Sequence, residues 1–277
     1  IIFLDSSNLK FSCSIFWFCE YEFRHKRIKI NDVIFSLNIN EYSKKKIYTK
    51  LVDKIDVKKW VQDRIGSKNL IETLYVAENV EELNYQLSSE YIEKFDFIIK
   101  PSHGAGAVFF KDDLKKRKDY VFSKLESSLK SSYFDNSFEF QYKNVIPRVI
   151  VEKLITNSDG SIPFDYKLHC FNGRCEFIQV ATDKHDGNNF YDRDWNIKEM
   201  SWIKPRQKNL NSKPVSLDKM IELAEKLATD FRYVRVDLYQ LDTGEIYFGE
   251  MTFTPGGCLG EIEPKKLNYT YGNLIQR

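Results

Sequence analysis

The sequence predicts an α+β fold, and three stretches carry that expectation. Val234 to Gly257 reads VRVDLYQLDTGEIYFGEMTFTPGG, two β-forming runs on either side of an Asp-Thr-Gly turn. Phe164 to Asp183 reads FDYKLHCFNGRCEFIQVATD, a second hairpin about Asn172-Gly173. Between them SLDKMIELAEKLATDF repeats apolar residues at helical spacing behind Ser216 as an N-cap.

The chain has 277 residues, enough for one sizeable domain or two to three small ones. Its net charge of +2, set against 42 basic and 40 acidic residues, argues against a nucleic-acid partner, because phosphate-tracking proteins concentrate a basic excess. The runs Lys44-Lys45-Lys46 and Lys115-Lys116-Arg117-Lys118 read as solvated surface. Five scattered cysteines make no disulfide framework, so a reducing cytoplasm is expected and Cys170 and Cys175 read as packing residues. The apolar run Phe11 to Cys19 is short of the roughly 20 residues that cross a bilayer, lacks the marks of a secretory signal, and reads as buried helix or strand, with interfacial membrane attachment as the lesser alternative.

In chain order, Ile28 to about Tyr85 is helical and charged. LVDKIDVKKWVQDRIG places Leu51, Ile55, Val57, Trp60, Val61 and Ile65 largely on one side, with Gly66 as the stop. FDFIIK and GAVFFK then read as two short strands joined by PSHGAG, whose glycines let backbone N–H groups approach a phosphate. The spacing is not that of a P-loop, and a plain hairpin gives the same pattern. Lys100 ends the first strand and is placed to reach an anion held by the loop. Leu114 to Leu129 predicts a charged helix, Ser131 to Asn144 a loop, and PRVIVEKLI a strand on which Glu152 reads as an exposed acid. Along DYKLHCF the two-residue period sends Asp165, Lys167 and His169 to one face, which suits either solvent or a ligand. Lys184 to Trp202 reads as a polar, aromatic loop of the kind that recognises ligands, and Cys258 to Arg277 as a loop-like tail.

The chemistry concentrates in the last hairpin. Asp237 and Glu250 sit among β-formers on strands expected to pair. Two carboxylates meeting there suit Mg²⁺, which takes one or two carboxylates and completes its shell with water and phosphate oxygens. Thr252 adds an oxygen on the same face, and Pro255-Gly256-Gly257 makes a turn able to point N–H groups at an anion. The same acids also fit the wet face of an antiparallel sheet.

The strings DYKLHCFNG, RVDLY and YFGEMTFTPGG resemble the TupA-like branch of the ATP-grasp ligases, named for teichuronopeptide synthesis. The resemblance implies two α+β lobes clamping ATP after a reduced helical N-terminal region, divided as residues 1–88, 89–150 with the glycine flap, and 151–277 with the Mg²⁺/ATP site. By that resemblance Asp237 and Glu250 are the metal ligands, with Thr252 where many members carry Asn. Lys100, Ser102, His103, Gly104, Ala105 and Gly106 would hold the nucleotide phosphates. The backbone of Lys153 and Leu154 would read the adenine edge with help from Glu152. Lys167 would contact phosphates or the transferred group, and Asp165 and His169 would lie near the ribose or behind the ligands. Arg235 would approach an acyl phosphate and the Gly256 and Gly257 amides its oxyanion. Asp53 and Lys54 match a family segment, and Arg193 with Asp194 would meet the acceptor. The implied reaction joins a carboxylate to an amine, the expected partners being a uronate-containing saccharide or glycan and a small amine. A kinase of the same fold and a non-catalytic nucleotide or polysaccharide binder are the alternatives.

Overall fold

The computed structural model describes residues 28–88, 90–104, 106–181 and 187–276. The run Phe11 to Cys19, Ala105 and the neighbouring His185 and Asp186 lie outside them. Three helices open the described chain: α1 (Ile30–Leu37), α2 (Lys46–Val52) and α3 (Val57–Ile65). They are followed by β1 (Thr73–Ala77), α4 (Val80–Leu87), α5 (Glu90–Glu93), β2 (Phe97–Pro101) and β3 (Phe109–Phe110). The long α6 (Lys111–Lys130) and short α7 (Tyr133–Ser137) lead into β4 (Val149–Lys153).

β4 sits between β1 and β2 in a four-stranded sheet ordered β1-β4-β2-β3, all antiparallel, so residues on both sides of 88 and of 150 share one sheet. Its apolar face, with Ala77, Phe97, Ile99, Phe109, Val149 and Val151, packs on Leu83 of α4 and on Val121 and Leu125 of α6.

The second sheet has five strands in the order β10-β9-β5-β6-β7, again antiparallel throughout: β5 (Phe164–Phe171), β6 (Arg174–Ala181), β7 (Asn188–Tyr191), β9 (Tyr233–Gln240) and β10 (Ile246–Thr252). Both predicted hairpins are present, and Gly173 takes φ +80° at its turn. Amphipathic α8 (Leu217–Ala228) buries Leu217, Met220, Ile221, Leu223, Ala224, Leu227 and Ala228 in the core this sheet shares with α1, α2 and α3. Each large side chain so buried contributes about 1.5–3 kcal/mol. Ser216 precedes the helix as expected, but its hydroxyl donates to the Gly244 carbonyl instead of capping. Cys170 and Cys175 pair across β5 and β6 as buried free thiols.

Five expectations change. The stretch 184–202, expected as a loop, supplies β7 to the five-stranded sheet and β8 (Ser201–Trp202) to a two-stranded one. The helix expected through LVDKIDVKKW breaks after Val52, because Asp53 turns extended and its Oδ1 accepts the N–H groups of Ile55 at 2.8 Å and Asp56 at 3.3 Å. Thr73–Ala77, within the stretch expected to be helical, is a strand, and Asn79 then caps α4 by accepting from Glu82 N–H. The 131–144 segment contains α7 and a 3₁₀ turn over Phe140–Tyr142. The tail forms β11 (Ile262–Glu263), paired with β8 (Ser201–Trp202), and α9 (Lys266–Gln276). Asn268 and Gly272 of α9 each have a tertiary reason. Asn268 bonds both the N–H and the C=O of Ile262. At Gly272 any Cβ would overlap the Ile28 carbonyl, so the helix can approach only with glycine there. Among the described residues no helix is long and apolar enough to cross a membrane.

Candidate active site

The five-stranded sheet arranges its polar residues in rows. Lys167, Asp237 and Glu250 face one another across β5, β9 and β10, and His169, Arg235 and Thr252 form the next row. The first row depends on a bulge between Phe248 and Glu250. Before it Ile246 and Phe248 are buried; after it the parity switches, Met251 is buried, and Glu250 turns to the cleft. Gly249 permits this, since a Cβ would stand 3.1 Å from both the Asp237 carbonyl and the Tyr239 ring.

Asp237 is 1 % exposed and fully engaged: Arg235 grips it with Nε at 2.7 Å and Nη2 at 2.6 Å, and Lys167 Nζ stands at 3.0 Å. Burial leaves the Asp237 pKa above the usual carboxylate value, although Arg235 and Lys167 pull it the other way. Arg235 also donates to Glu250 at 3.2 Å and to Thr252 Oγ1 at 3.0 Å. Desolvation in the cleft raises the Glu250 pKa, but Lys54, Arg235 and Lys167 outweigh it and bring it down to about 2. Lys167 pairs with Asp165 as well, and although burial lowers its pKa, Asp237 and Asp165 carry it above the usual lysine value.

Opposite this face stands the glycine loop between β2 and β3. Lys100 projects from β2 to Glu152 at 2.6 Å, and Glu152 takes Lys58 on its other oxygen at 2.6 Å. Glu152, expected as an exposed acid, is 3 % exposed; burial raises its pKa, and Lys100 and Lys58 more than reverse this. Lys54 Nζ donates to the Gly104 carbonyl at 2.7 Å and approaches Glu250 at 4.0 Å. Gly104 has φ +73°, and a Cβ there would run into the Tyr133 ring.

Lys54, Lys100, His103, Gly104, Gly106, Asp165, Lys167, Asp237 and Glu250 thus line one cavity of about 310 Å³. A second, more apolar cavity of about 640 Å³ adjoins it through Lys100, Val108, Asp165 and Tyr239, walled by Ile98, Phe110, Leu154, Ile162 and Phe164.

The description of a known family fits this arrangement over nearly the whole chain: the TupA-like ATPgrasp family model matches residues 35–276. The chain belongs to the TupA-like ATP-grasp family. Its two sheets, with helices outside and a glycine loop between them, form the α+β ATP-grasp fold. No curated protein matches. Among solved structures the chain is similar to a D-alanine–D-alanine ligase from Bacillus anthracis complexed with ATP, at 15 % identity over 74 % of this chain and 54 % of that one, with a TM-score of 0.44. It is also similar to the ATP-grasp ligase PsnB complexed with a phosphomimetic variant of its minimal precursor, Mg and ADP, at 11 % identity over 75 % and 50 %, TM-score 0.40. A third is the VanG D-Ala:D-Ser ligase from Enterococcus faecalis, at 14 % identity over 82 % and 57 %, TM-score 0.40. The chain spans about half the length of the first solved structures it matches.

Several expected roles meet the geometry of this ATP-grasp chain differently. His169 is fully buried behind the cavity: Nδ1 meets Tyr233 Oη at 2.9 Å, Nε2 meets Gln179 Oε1 at 3.1 Å, and the ring stacks on Phe177. It cannot touch a ribose, and burial drives its pKa well below the usual value. Ser102 gives its N–H to the Arg148 carbonyl at 2.8 Å, so it anchors the loop instead of offering that group to a phosphate. The N–H groups of Lys153 and Leu154 go to the Glu72 and Asp96 carbonyls, so neither donor is offered to an adenine edge. Gly257 N–H is taken by the Thr254 carbonyl at 3.0 Å, and neither it nor Gly256 lines the cavity. Arg193, in the turn after β7, pairs with Glu225 of α8 and the Cys175 carbonyl and does not line the cavity.

Sequence reasoning read Asp53 and Lys54 as surface charges apart from the family match, and missed Lys58. Only tertiary contacts reveal that Asp53 is buried, that Lys54 lines the cleft, and that Lys58 holds Glu152 behind Lys100. Whether the acids suit Mg²⁺ is decided by their partners. Among the described residues no three acidic, His or Cys groups converge as a self-sufficient metal site. Asp165 Oδ1, however, is buried in this cavity without a hydrogen-bond partner. Two paired carboxylates beside a spare acceptor fit an ion that takes its remaining ligands from phosphate and water.

Proposed function

We propose that this protein is an ATP-dependent carboxylate–amine ligase. The observation that carries the reading is the cross-strand row Lys167–Asp237–Glu250 facing Lys100 and the glycine loop across a polar cavity that opens into an apolar one. Such a cleft takes a purine on its apolar side and a triphosphate on its polar side. Asp237 and Glu250 would hold Mg²⁺, with Thr252 beside them; bound there, the ion supplies charge neutralisation at the γ-phosphoryl group.

The chain's own residues do the remaining work. Lys54, Lys100 and Lys167 bind phosphate oxygens and fix the γ-phosphoryl in line with an incoming carboxylate, and the glycine loop excludes water that would otherwise hydrolyse the product. The carboxylate oxygen forms a bond to γ-phosphorus as the bridging oxygen leaves with ADP, giving an acyl phosphate. An amine then attacks the acyl carbon, phosphate leaves, and a proton passes from nitrogen to solvent. Arg235, donating from beneath the acids, stabilises the charge that grows on the acyl oxygen.

We assign the carboxylate to a uronic acid unit of a bacterial surface polysaccharide and the amine to an amino acid or amino alcohol, a reading supported by the family. ATP supply places the reaction in the cytoplasm. The test incubates the protein with MgATP, uronate-containing glycans and amines, and follows ADP and phosphate. Release that requires both carboxylate and amine is expected, with Glu250→Gln lowering it at least about a hundredfold. ADP formation with a hydroxyl acceptor and no amine would establish a kinase instead.

A further inference from the structure

Three separate stretches of chain meet at the root of the glycine loop, and one side chain ties them together. Arg148, five residues after Lys143 on the loop into β4, donates from Nη2 to Asp53 Oδ2 at 2.8 Å and to Asp56 Oδ1 at 2.9 Å. Its backbone clasps Ser102: the carbonyl accepts Ser102 N–H at 2.8 Å, and the N–H donates to Ser102 Oγ at 3.2 Å. Ser102 in turn accepts the Lys54 N–H at 3.0 Å. Since Lys54 follows Asp53 directly, these bonds close a ring through residues 53, 54, 102 and 148. Asp53 is 2 % exposed and Ser102 wholly buried, so these two members are shielded from water. A carboxylate in such a place needs a cation, and Arg148 supplies it.

We propose that Arg148 is the positioning residue for the phosphate end of the cleft. It fixes the break between α2 and α3, from which Lys54 starts, and in the same stroke fixes Ser102, from which the glycine loop starts. Lys54 Nζ and the loop therefore arrive together, and their bond at Gly104 records the fit. Arg148 itself lines neither cavity. The proposal rests on the reading above that this cleft takes a triphosphate.

The experiment compares Arg148→Lys, which keeps the charge but loses the planar fork, with the wild-type chain. Affinities are measured for the Mg²⁺ complex of a non-hydrolysable ATP analogue and for adenosine. The expected result is a loss of roughly tenfold for the analogue with adenosine unchanged within about twofold. Combined with Lys54→Met, Arg148→Lys should weaken the analogue by less than the sum of the two single losses, because the part of its effect that runs through Lys54 is already gone. Asp53→Asn, which removes the buried charge that Arg148 neutralises, should reproduce the selective loss and guards against a folding defect in the first variant. A parallel arm needs no nucleotide: amide exchange at residues 102–104 of the free protein should quicken in Arg148→Lys while β5 stays protected. Equal losses for analogue and adenosine, additive effects with Lys54→Met, or unchanged exchange at 102–104 would each overturn the proposal. If the wild-type chain binds neither compound, the ligase reading fails, and the exchange arm still decides whether Arg148 positions the loop.

Discussion

Lys167 and Asp237 were legible as single residues because a strand's two-residue period says which neighbours share a face, and β5 and β9 pair them; Glu250 joins their row only through the bulge at Gly249, and Lys100 belongs to β2 of the other sheet. The same period misleads at His169. It lies on the same side of β5 as Lys167, but the sequence does not reveal that Phe177, Trp202 and Tyr233 close over that end of the strand. This burial has a consequence for pH. His169 stays neutral in the fold because burial lowers its pKa, whereas in the unfolded chain it titrates near 6.5. Between those values the unfolded state binds the extra proton, so the stability contribution is complete above about pH 6.5 and declines as pH falls below it. Urea midpoints measured from pH 7 to 5 should drop for the wild-type chain, and His169→Asn should flatten that drop while lowering stability at pH 7 by about 1–2 kcal/mol through the lost ring packing.

At the scale of elements, the hairpins, the glycine loop and α8 were readable because turn chemistry and apolar period agree there. α9 was not, because its glycine serves another element's backbone. Gly272 normally weakens a helix by about 1 kcal/mol relative to Ala, so on an isolated helix Gly272→Ala would stabilise. Here the Cβ would meet the Ile28 carbonyl and push α9 off α1, which it packs against. Gly272→Ala should therefore lower stability by about 2 kcal/mol or more in equilibrium unfolding, against the sign of its helix propensity. The break at Asp53 escaped the sequence for a related reason. Apolar spacing runs on through it, and only the side chain's bonds to Ile55 and Asp56 N–H, with Arg148 from far along the chain, stop the helix.

For the molecule as a whole, the N-terminal helices do more than precede the two sheets. They contribute to the core of the five-stranded sheet and send Lys54 to the cleft, while Lys58 bonds Thr73 and Glu152 of the other sheet. Three bodies of chain thus share one set of ionic contacts, and a ligand in the cleft should stabilise all of them at once. In a thermal scan, MgATP at about a hundred times its dissociation constant should add about 2.7 kcal/mol to the unfolding free energy. Excess EDTA should remove most of that gain, since the proposed ion joins Asp237 and Glu250 to the phosphates. A Tm unmoved by MgATP would contradict the nucleotide reading.

The bulge at Gly249 gives β10 two reading frames within seven residues. Upstream its even-numbered side chains serve as ballast against the core; downstream Met251 takes that duty and releases Glu250 and Thr252 to the opposite face. Were the strand to run through Gly249 without the bulge, strict alternation would turn Glu250 and Thr252 inward and Met251 out toward the cleft, with the hydrophobic composition unchanged.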